Sequence, residues 1–238
     1  MKEAHAFNSF DEFREAFSKA VRELATSSPL LRKRCMIHGT GAASSLYLKH
    51  RPSWDIDLVT IDRDDLCTFE IAEQLSSKFG KRFKYSGDSM IFGTFEPQGL
   101  PPIDVQIIPF CFDIEPDFEI SDMFGMKTES LSMYAQLKAV ASFERRAPKD
   151  IYDLAACFNN PLSNGITKAA IAREGRKGAL LLDRAVMSVE VDQFATRKPG
   201  FEPVWEHQIE NLANYAHDRA RRYKLIEKAR REEMAFSL

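Results

Sequence analysis

No stretch of this sequence approaches the roughly 20 consecutive apolar residues that a membrane-spanning helix needs, so no span is expected. The opening residues MKEAHAFNSFDEF are charged and hold no apolar core of the kind a secretory leader carries, so no leader is expected. Cysteine is sparse: Cys35, Cys67, Cys111 and Cys157 lie far apart, without the close pairs of a zinc site. Each sits beside apolar residues and reads as a small buried hydrophobe. A reducing, cytoplasmic setting is the expectation that follows. No sign of charge dominates either. The formal net charge is -2, which excludes a polybasic nucleic-acid binder acting through its whole surface. A local basic patch stays open, because partners feel patches rather than totals. Internal repeats and low-complexity tracts are missing too.

Phenylalanine is what the chain has in quantity: 18 of 238 residues, enough with the aliphatic residues to fill a sizeable core. Phe10, Phe13, Phe17, Val21 and Leu24 recur at helical spacing and predict a helix over residues 10–25. Ser9 caps it and Glu12 completes a capping box. Cys35 to Ile37 read as a short buried strand, His38-Gly39-Thr40-Gly41 as a turn, and Ala42 to Lys49 as a short helix ended by Pro52. The strand WDIDLVT follows, then a helix over 64–79 closed by Gly80. Strands are expected at 84–85 and 90–95 around a Ser86-Gly87-Asp88 turn, and again at 103–109. Past about 121 the pattern becomes helical, at 131–143, 149–158, 166–172, 179–187 and about 204–232, with no further strand expected. The last helix should turn Trp205, Ile209, Leu212, Ala216, Tyr223 and Ile226 inward. The fold class is therefore α+β (mixed α/β), with a mixed sheet and flanking helices over residues 1–120 and a helical part over 121–238.

Three carboxylates stand out. Ile56, Leu58 and Val59 favour a strand, and strand side chains alternate, so Asp55 and Asp57 share a face while Ile56 and Leu58 point into a core. Asp104 lies near the start of the apolar strand IDVQIIP. Three carboxylates converging on one sheet face repel each other unless cations sit between them. A pair of Mg²⁺ ions is the natural candidate, since hard cations take oxygen ligands and two of them can clamp a phosphoryl displacement. The alternative is a surface strand that merely carries acidic residues. The Gly39-Thr40-Gly41 turn, between strand and helix, suits close approach to a phosphate, although it matches neither a P-loop nor a dinucleotide fingerprint. Its plain alternative is a strand-to-helix connection. Lys138 either snorkels to solvent or serves as a cation for a ligand. Asp150 and Asp153 share a helix face, and Asp150 also suits the helix start beside Pro148. The run from Asp218 to Lys224 is locally basic and reads either as a solvated face or as a surface for RNA. His207 and His217 lack ligand spacing and read as structural.

The order strand, Gly/Thr turn, helix, Asp-x-Asp strand and later carboxylate resembles the nucleotidyltransferase superfamily of the polymerase-beta type. More narrowly, His50, Arg51, Ser53, Asp55, Asp57 and Leu58 resemble the AbiEii/AbiGii toxin branch, as do Lys138, Asp150, Asp153 and Leu154, with Lys149 in place of the branch's usual Arg. The likeness covers residues 33–158. The turn departs from it: the branch has two adjacent glycines before Thr, whereas here Gly39-Thr40-Gly41-Ala42 stands. Matching the pattern from His50 backward puts Thr40 and Gly41 where the glycine pair stands, whereas matching it from the turn requires one inserted residue in the following helix. The phosphate-contacting hydroxyl is then Thr40 or Ser44, or is absent.

The resemblance implies Mg²⁺- or Mn²⁺-dependent transfer of a nucleoside monophosphate from an NTP to a hydroxyl of RNA, tRNA especially, or of a protein. It implies Asp55, Asp57 and Asp104 as metal ligands, with Asp104 also helping to deprotonate the acceptor. Gly39, Thr40, Gly41, Ser44, Arg51, Lys138 and Asp150 would contact the nucleotide. Residues 1–120 would be the catalytic core and 121–238 would close the nucleotide cleft and bind the acceptor. A cognate antitoxin protein would be a partner. A nucleotide-binding or interaction protein that has lost turnover is the alternative on the same scaffold.

Overall fold

The computed structural model describes residues 7–61, 65–80, 83–85 and 90–236. The expected Ser86-Gly87-Asp88 turn and the helix start at Asp64 lie outside the described residues. Helices α1 to α9 span Phe10–Ser27, Pro29–Arg34, Thr40–Ala43, Asp65–Phe79, Leu131–Glu144, Pro148–Asn159, Asn164–Arg173, Gly175–Val186 and Glu206–Phe236. Strands β1 to β7 span Cys35–His38, Asp55–Thr60, Phe83–Tyr85, Ile91–Phe95, Ile103–Ile108, Phe118–Ser121 and Met126–Glu129. The chain divides into two compact units, one of residues 1–134 with 196–202 and one of 135–195 with 203–238.

The first unit carries a seven-stranded mixed sheet in the order β3-β4-β5-β2-β1-β7-β6. β2 runs parallel to β5 and antiparallel to β1, and β1 runs parallel to β7. One face of the sheet is apolar. Ile37, Ile56, Leu58, Ile103, Val105 and Ile107 are buried there in one cluster with Phe13, Phe17, Leu24, Ile71 and Leu75 of the helices. Burying each large apolar side chain contributes about 1.5–3 kcal/mol before conformational entropy is set against it. At the α1 start Ser9 caps as expected, accepting the Glu12 N–H at 3.2 Å, whereas Glu12 reaches past the cap to the Asn8 N–H at 2.7 Å rather than to that of Ser9. Residues 196–202 return to this unit as a strap. Pro199 accepts the Phe10 N–H at 2.8 Å, and Phe201 packs edge-on to Phe10.

Several expectations need correction. β6, at Phe118–Ser121, and β7, at Met126–Glu129, stand where no strand was expected, and with them the first unit continues past residue 120 to Tyr134. Both strands have four residues, and β6 exposes three of its four, so neither shows an apolar alternation. α2 was not foreseen either, though Ser28 caps it and Pro29 opens it, as a short helix allows. Cys111 is exposed, while Cys35, Cys67 and Cys157 are buried.

The second unit is helical. Tyr152, Leu154, Ala155 and Cys157 of α6 are buried with Leu182 of α8 and Ile209, Leu212, Ala216 and Ala220 of α9. The Tyr152 hydroxyl accepts the Val204 N–H at 2.9 Å, which fixes the chain before α9 begins. Trp205 and Ile226 were expected inside but are 42% and 50% exposed. Length explains Ile226. α9 has 31 residues, whereas α6 and α8 have 12 each. At about 1.5 Å per residue, a helix that long outruns the helices it packs on. No described helix is long and apolar enough to cross a membrane.

Candidate functional site

The polar face of the sheet collects the predicted carboxylates. Asp55 of β2 stands in register with Asp104 of β5, and Asp57 with Gln106. Register partners project to the same side, so Asp55, Asp57, Asp104 and Gln106 share one face. On the other side of β2, His38 pairs with Asp57 and joins that face. Asp55 and Asp57 are half-buried, and Asp104 is exposed. The Ser53 hydroxyl donates to Asp55 at 2.6 Å, and the Thr94 hydroxyl donates to Asp104 at 3.2 Å. Among the described residues, no three His, Cys, Asp or Glu side chains are gathered to hold one ion. The carboxylates of this face are hard oxygen donors of the kind Mg²⁺ takes, and in this structure Asp55 is engaged by Ser53 and Asp104 by Thr94.

The glycine turn is built against these carboxylates. Gly39 has φ 89° and ψ -176°, a region essentially closed to other residues. A Cβ there would stand 2.6 Å from Oδ2 of Asp57, so only glycine lets the turn lie this close. Gly41 is bare for another reason. Its Cβ would lie 2.6 Å from the Phe17 ring and 3.0 Å from the Ser53 carbonyl, so its small size serves packing onto α1. The Thr40 hydroxyl lies 3.2 Å from the Tyr134 hydroxyl and accepts from the Arg51 guanidinium at 3.3 Å. Arg51 thereby braces the turn. Ser44 Oγ is buried and has no hydrogen-bond partner among the described residues.

After α3, residues Ser44–Leu48 form a π turn, closed by the Lys49 N–H on the Ser44 carbonyl at 3.0 Å. A π turn holds one residue more than an α turn.

Sequence reasoning missed Glu129. It ends β7, is wholly buried, and accepts the Gly39 N–H on Oε1 at 2.6 Å. Its Oε2 lies 2.8 Å from Nδ1 of His38. The residue carries no motif, and its strand was not foreseen, so nothing placed it beside the turn. Tyr47 was missed as well. Its hydroxyl donates to Glu119 of β6, and burial first, then that bond and the charges of Glu119, Glu129 and Asp117, push its pKa well above the usual tyrosine range.

Lys138, Asp150 and Asp153 belong to the second unit. Lys138 does not snorkel to solvent. Its side chain is 11% exposed, with Nζ 3.2 Å from Asp150 and 2.8 Å from Asp153. Asp150 also takes Arg145 at 3.0 Å, while its Oδ2 is buried and has no hydrogen-bond partner among the described residues. Pro148 opens α6 and Asp150 sits in its first turn, so the helix-start role and the Lys138 contact hold together. On α9, Arg221, Arg222 and Lys224 are exposed, whereas Arg219 lies over the Tyr215 and Tyr223 rings. His217 faces Asp183 at 3.3 Å.

No protein-family model matches the chain, and no curated protein sequence matches it. Solved structures do resemble it. The protein JHP933 of Helicobacter pylori superposes with a TM-score of 0.52 at 14% identity, over 94% of this chain and 97% of that one. A second H. pylori structure, described as a candidate nucleotidyltransferase, gives a TM-score of 0.52 at 13% identity, over 90% of this chain and 96% of that one. MenT4, a nucleotidyltransferase toxin of Mycobacterium tuberculosis, is similar more loosely, with a TM-score of 0.46 at 15% identity over 86% and 85% of the two chains. At such identities the likeness shows the fold alone: a mixed seven-stranded sheet with flanking helices, of nucleotidyltransferase-like type.

Proposed function

We propose that this protein is a nucleotidyltransferase. It moves a nucleoside monophosphate from an NTP to a hydroxyl of RNA, tRNA especially, or of a protein side chain. The observation that carries this reading is the register of Asp55 with Asp104, with Asp57 on the same face and the Gly39 turn pressed against Asp57. The fold shared with a candidate nucleotidyltransferase supports it. In the reaction, the acceptor oxygen bonds to the α-phosphorus, the bond from that phosphorus to the bridging oxygen breaks, and pyrophosphate leaves.

Asp55, Asp57 and Asp104 would hold Mg²⁺ or Mn²⁺, and the bound ion would neutralise the triphosphate charge that such transfers must overcome. Asp104, the exposed carboxylate of the three, accepts the proton of the acceptor hydroxyl. Lys138, oriented by Asp150 and Asp153, is the proposed cation for the nucleotide. The toxin-like role and a cognate antitoxin as partner rest on the resemblance of the block from His50 to Leu58. Incubation with each α-labelled NTP and total cellular RNA or protein tests the reading. Label entering one polymer, with pyrophosphate released, is the expected result. No label in any polymer with any NTP overturns it.

A second reading, a nucleotide-binding protein without turnover, is favoured by one observation. The turn reads Gly39-Thr40-Gly41-Ala42, with Ala42 where the branch it resembles carries Thr after paired glycines. Titration calorimetry with the four NTPs, with and without Mg²⁺, separates the two readings. Tight binding without transfer to any acceptor favours the second.

A further inference from the structure

We infer that Glu129 is a positioning residue that holds the Gly39 turn closed on Asp57. The inference rests on the proposed transferase reading for its effect on turnover, but not for its effect on the turn. Three neighbouring strands, β2, β1 and β7, set Asp57, His38 and Glu129 side by side at the end of β1. Glu129 and Asp57 therefore flank the residue at which the chain leaves the sheet.

From the β7 side, the Glu129 carboxylate takes two groups. Oε1 receives the Gly39 N–H at 2.6 Å, and Oε2 engages the His38 ring at 2.8 Å. From the β2 side, Oδ2 of Asp57 occupies the space beside the Gly39 α-carbon that a Cβ would need. The turn is thus gripped on one side and in contact on the other. A buried carboxylate is costly to place unless its oxygens are bonded, and here both are. The two bonds also fix the rotation of the peptide between His38 and Gly39. That peptide sets how near the turn comes to Asp57. The His38 ring is covered in turn by Phe112, with centroids 5.6 Å apart, so its orientation is fixed from both sides.

The consequence for function is indirect. Glu129 acts through the Gly39 backbone and the His38 ring. It orients Asp57 by holding the backbone that Asp57 lies against, as a second layer orients metal ligands elsewhere. The bond needed is an acceptor at the position of Oε1. A glutamine supplies it, whereas alanine does not, and aspartate falls one methylene short.

The test compares Glu129→Gln, Glu129→Ala and Glu129→Asp in the full chain by two measurements. One is hydrogen exchange of the Gly39 amide. The other is the split of labelled-NTP transfer into kcat and KM. Expected are a protected Gly39 amide in the parent and in E129Q, and exchange at least about tenfold faster in E129A and E129D. Transfer should fall about 10- to 100-fold in kcat for E129A and E129D, with E129Q restoring most of it. If E129A fails to fold, E129D carries the comparison. If the parent transfers no nucleotide, the transferase reading fails, and the Gly39 amide still decides the positioning role. Equal protection of Gly39 in all four proteins overturns the inference. So does a kcat for E129Q as low as that of E129A while its Gly39 amide stays protected, because charge and not the acceptor would then be what matters.

Discussion

Lys138 shows how one residue changes meaning between sequence and structure. As a lysine on an apolar helix it reads either as a snorkelling side chain or as a cation for phosphate. In the fold it is the counter-charge of two wholly buried carboxylates, Asp150 and Asp153. Removing one partner of a buried ion pair costs about 3–5 kcal/mol, because the remaining charge is left in a poor solvent. Lys138→Met should therefore lower stability by about 3 kcal/mol in urea unfolding. Adding Asp153→Asn should recover part of that loss. If K138M unfolds at the parental midpoint, the triad is not the anchor described here. Activity of K138M is interpretable only from its folded fraction. Gly39 changed meaning in the opposite direction. Glycine in a strand-to-helix turn is ordinary in sequence, but its φ of 89° and the nearness of Asp57 leave no other residue possible.

At the scale of elements, the β6–β7 hairpin extends the sheet beside β1 and brings both Glu129 and Glu119 to the helix that follows the glycine turn. Tyr47, on the π turn, donates to Glu119, and this bond ties that turn to the sheet edge. Its raised pKa gives a pH signature. The unfolded chain ionises near the ordinary tyrosine value of about 10, while folded Tyr47 stays protonated. The stabilisation is complete below about pH 10 and is lost as pH rises toward the folded value. Denaturant midpoints measured from pH 8 to 11 should fall more steeply for the parent than for Tyr47→Phe. Parallel curves would contradict the assignment.

The same hairpin marks the limit of what the sequence disclosed. β2 and β5 were legible because Ile56, Leu58, Val105 and Ile107 alternate with polar residues and bury one face. β6 and β7 were not, because Phe118 and Ile120 are exposed on a short edge strand and leave no inward stripe. The helices α1 and α5 to α9 were legible from periodicity, whereas the six-residue α2 offered only its cap and its proline.

The whole molecule divides into units whose chain segments are not contiguous. Residues 196–202 belong with the first unit although the helices before and after them belong to the second. Such a return cannot be read from local sequence, since its evidence is the packing of Phe201 against Phe10 and Phe13. Phe201 is 9% exposed, and a buried Phe→Ala change costs about 3–5 kcal/mol. Phe201→Ala should shift the urea midpoint of the first unit by a corresponding amount, followed by Trp54, whose ring contacts Phe7 and Phe17 in the same cluster. An unchanged midpoint would remove the strap from the fold's energetics. The candidate site was legible in its three carboxylates, because strand alternation alone puts Asp55 and Asp57 on one face. Its support was not, because Glu129 and Tyr134 reach the turn only through tertiary contact. Nucleotidyl transfer by the carboxylates on the polar face of the sheet is open to one direct test. Asp57→Asn tests it most directly, since it preserves shape and removes one charge. The D57N protein should melt at or above the parental temperature, because repulsion among Asp55, Asp57 and Asp104 is relieved. Its label transfer from NTP should be reduced at least about hundredfold. Parental transfer by a fully folded D57N protein would contradict that role of the carboxylates.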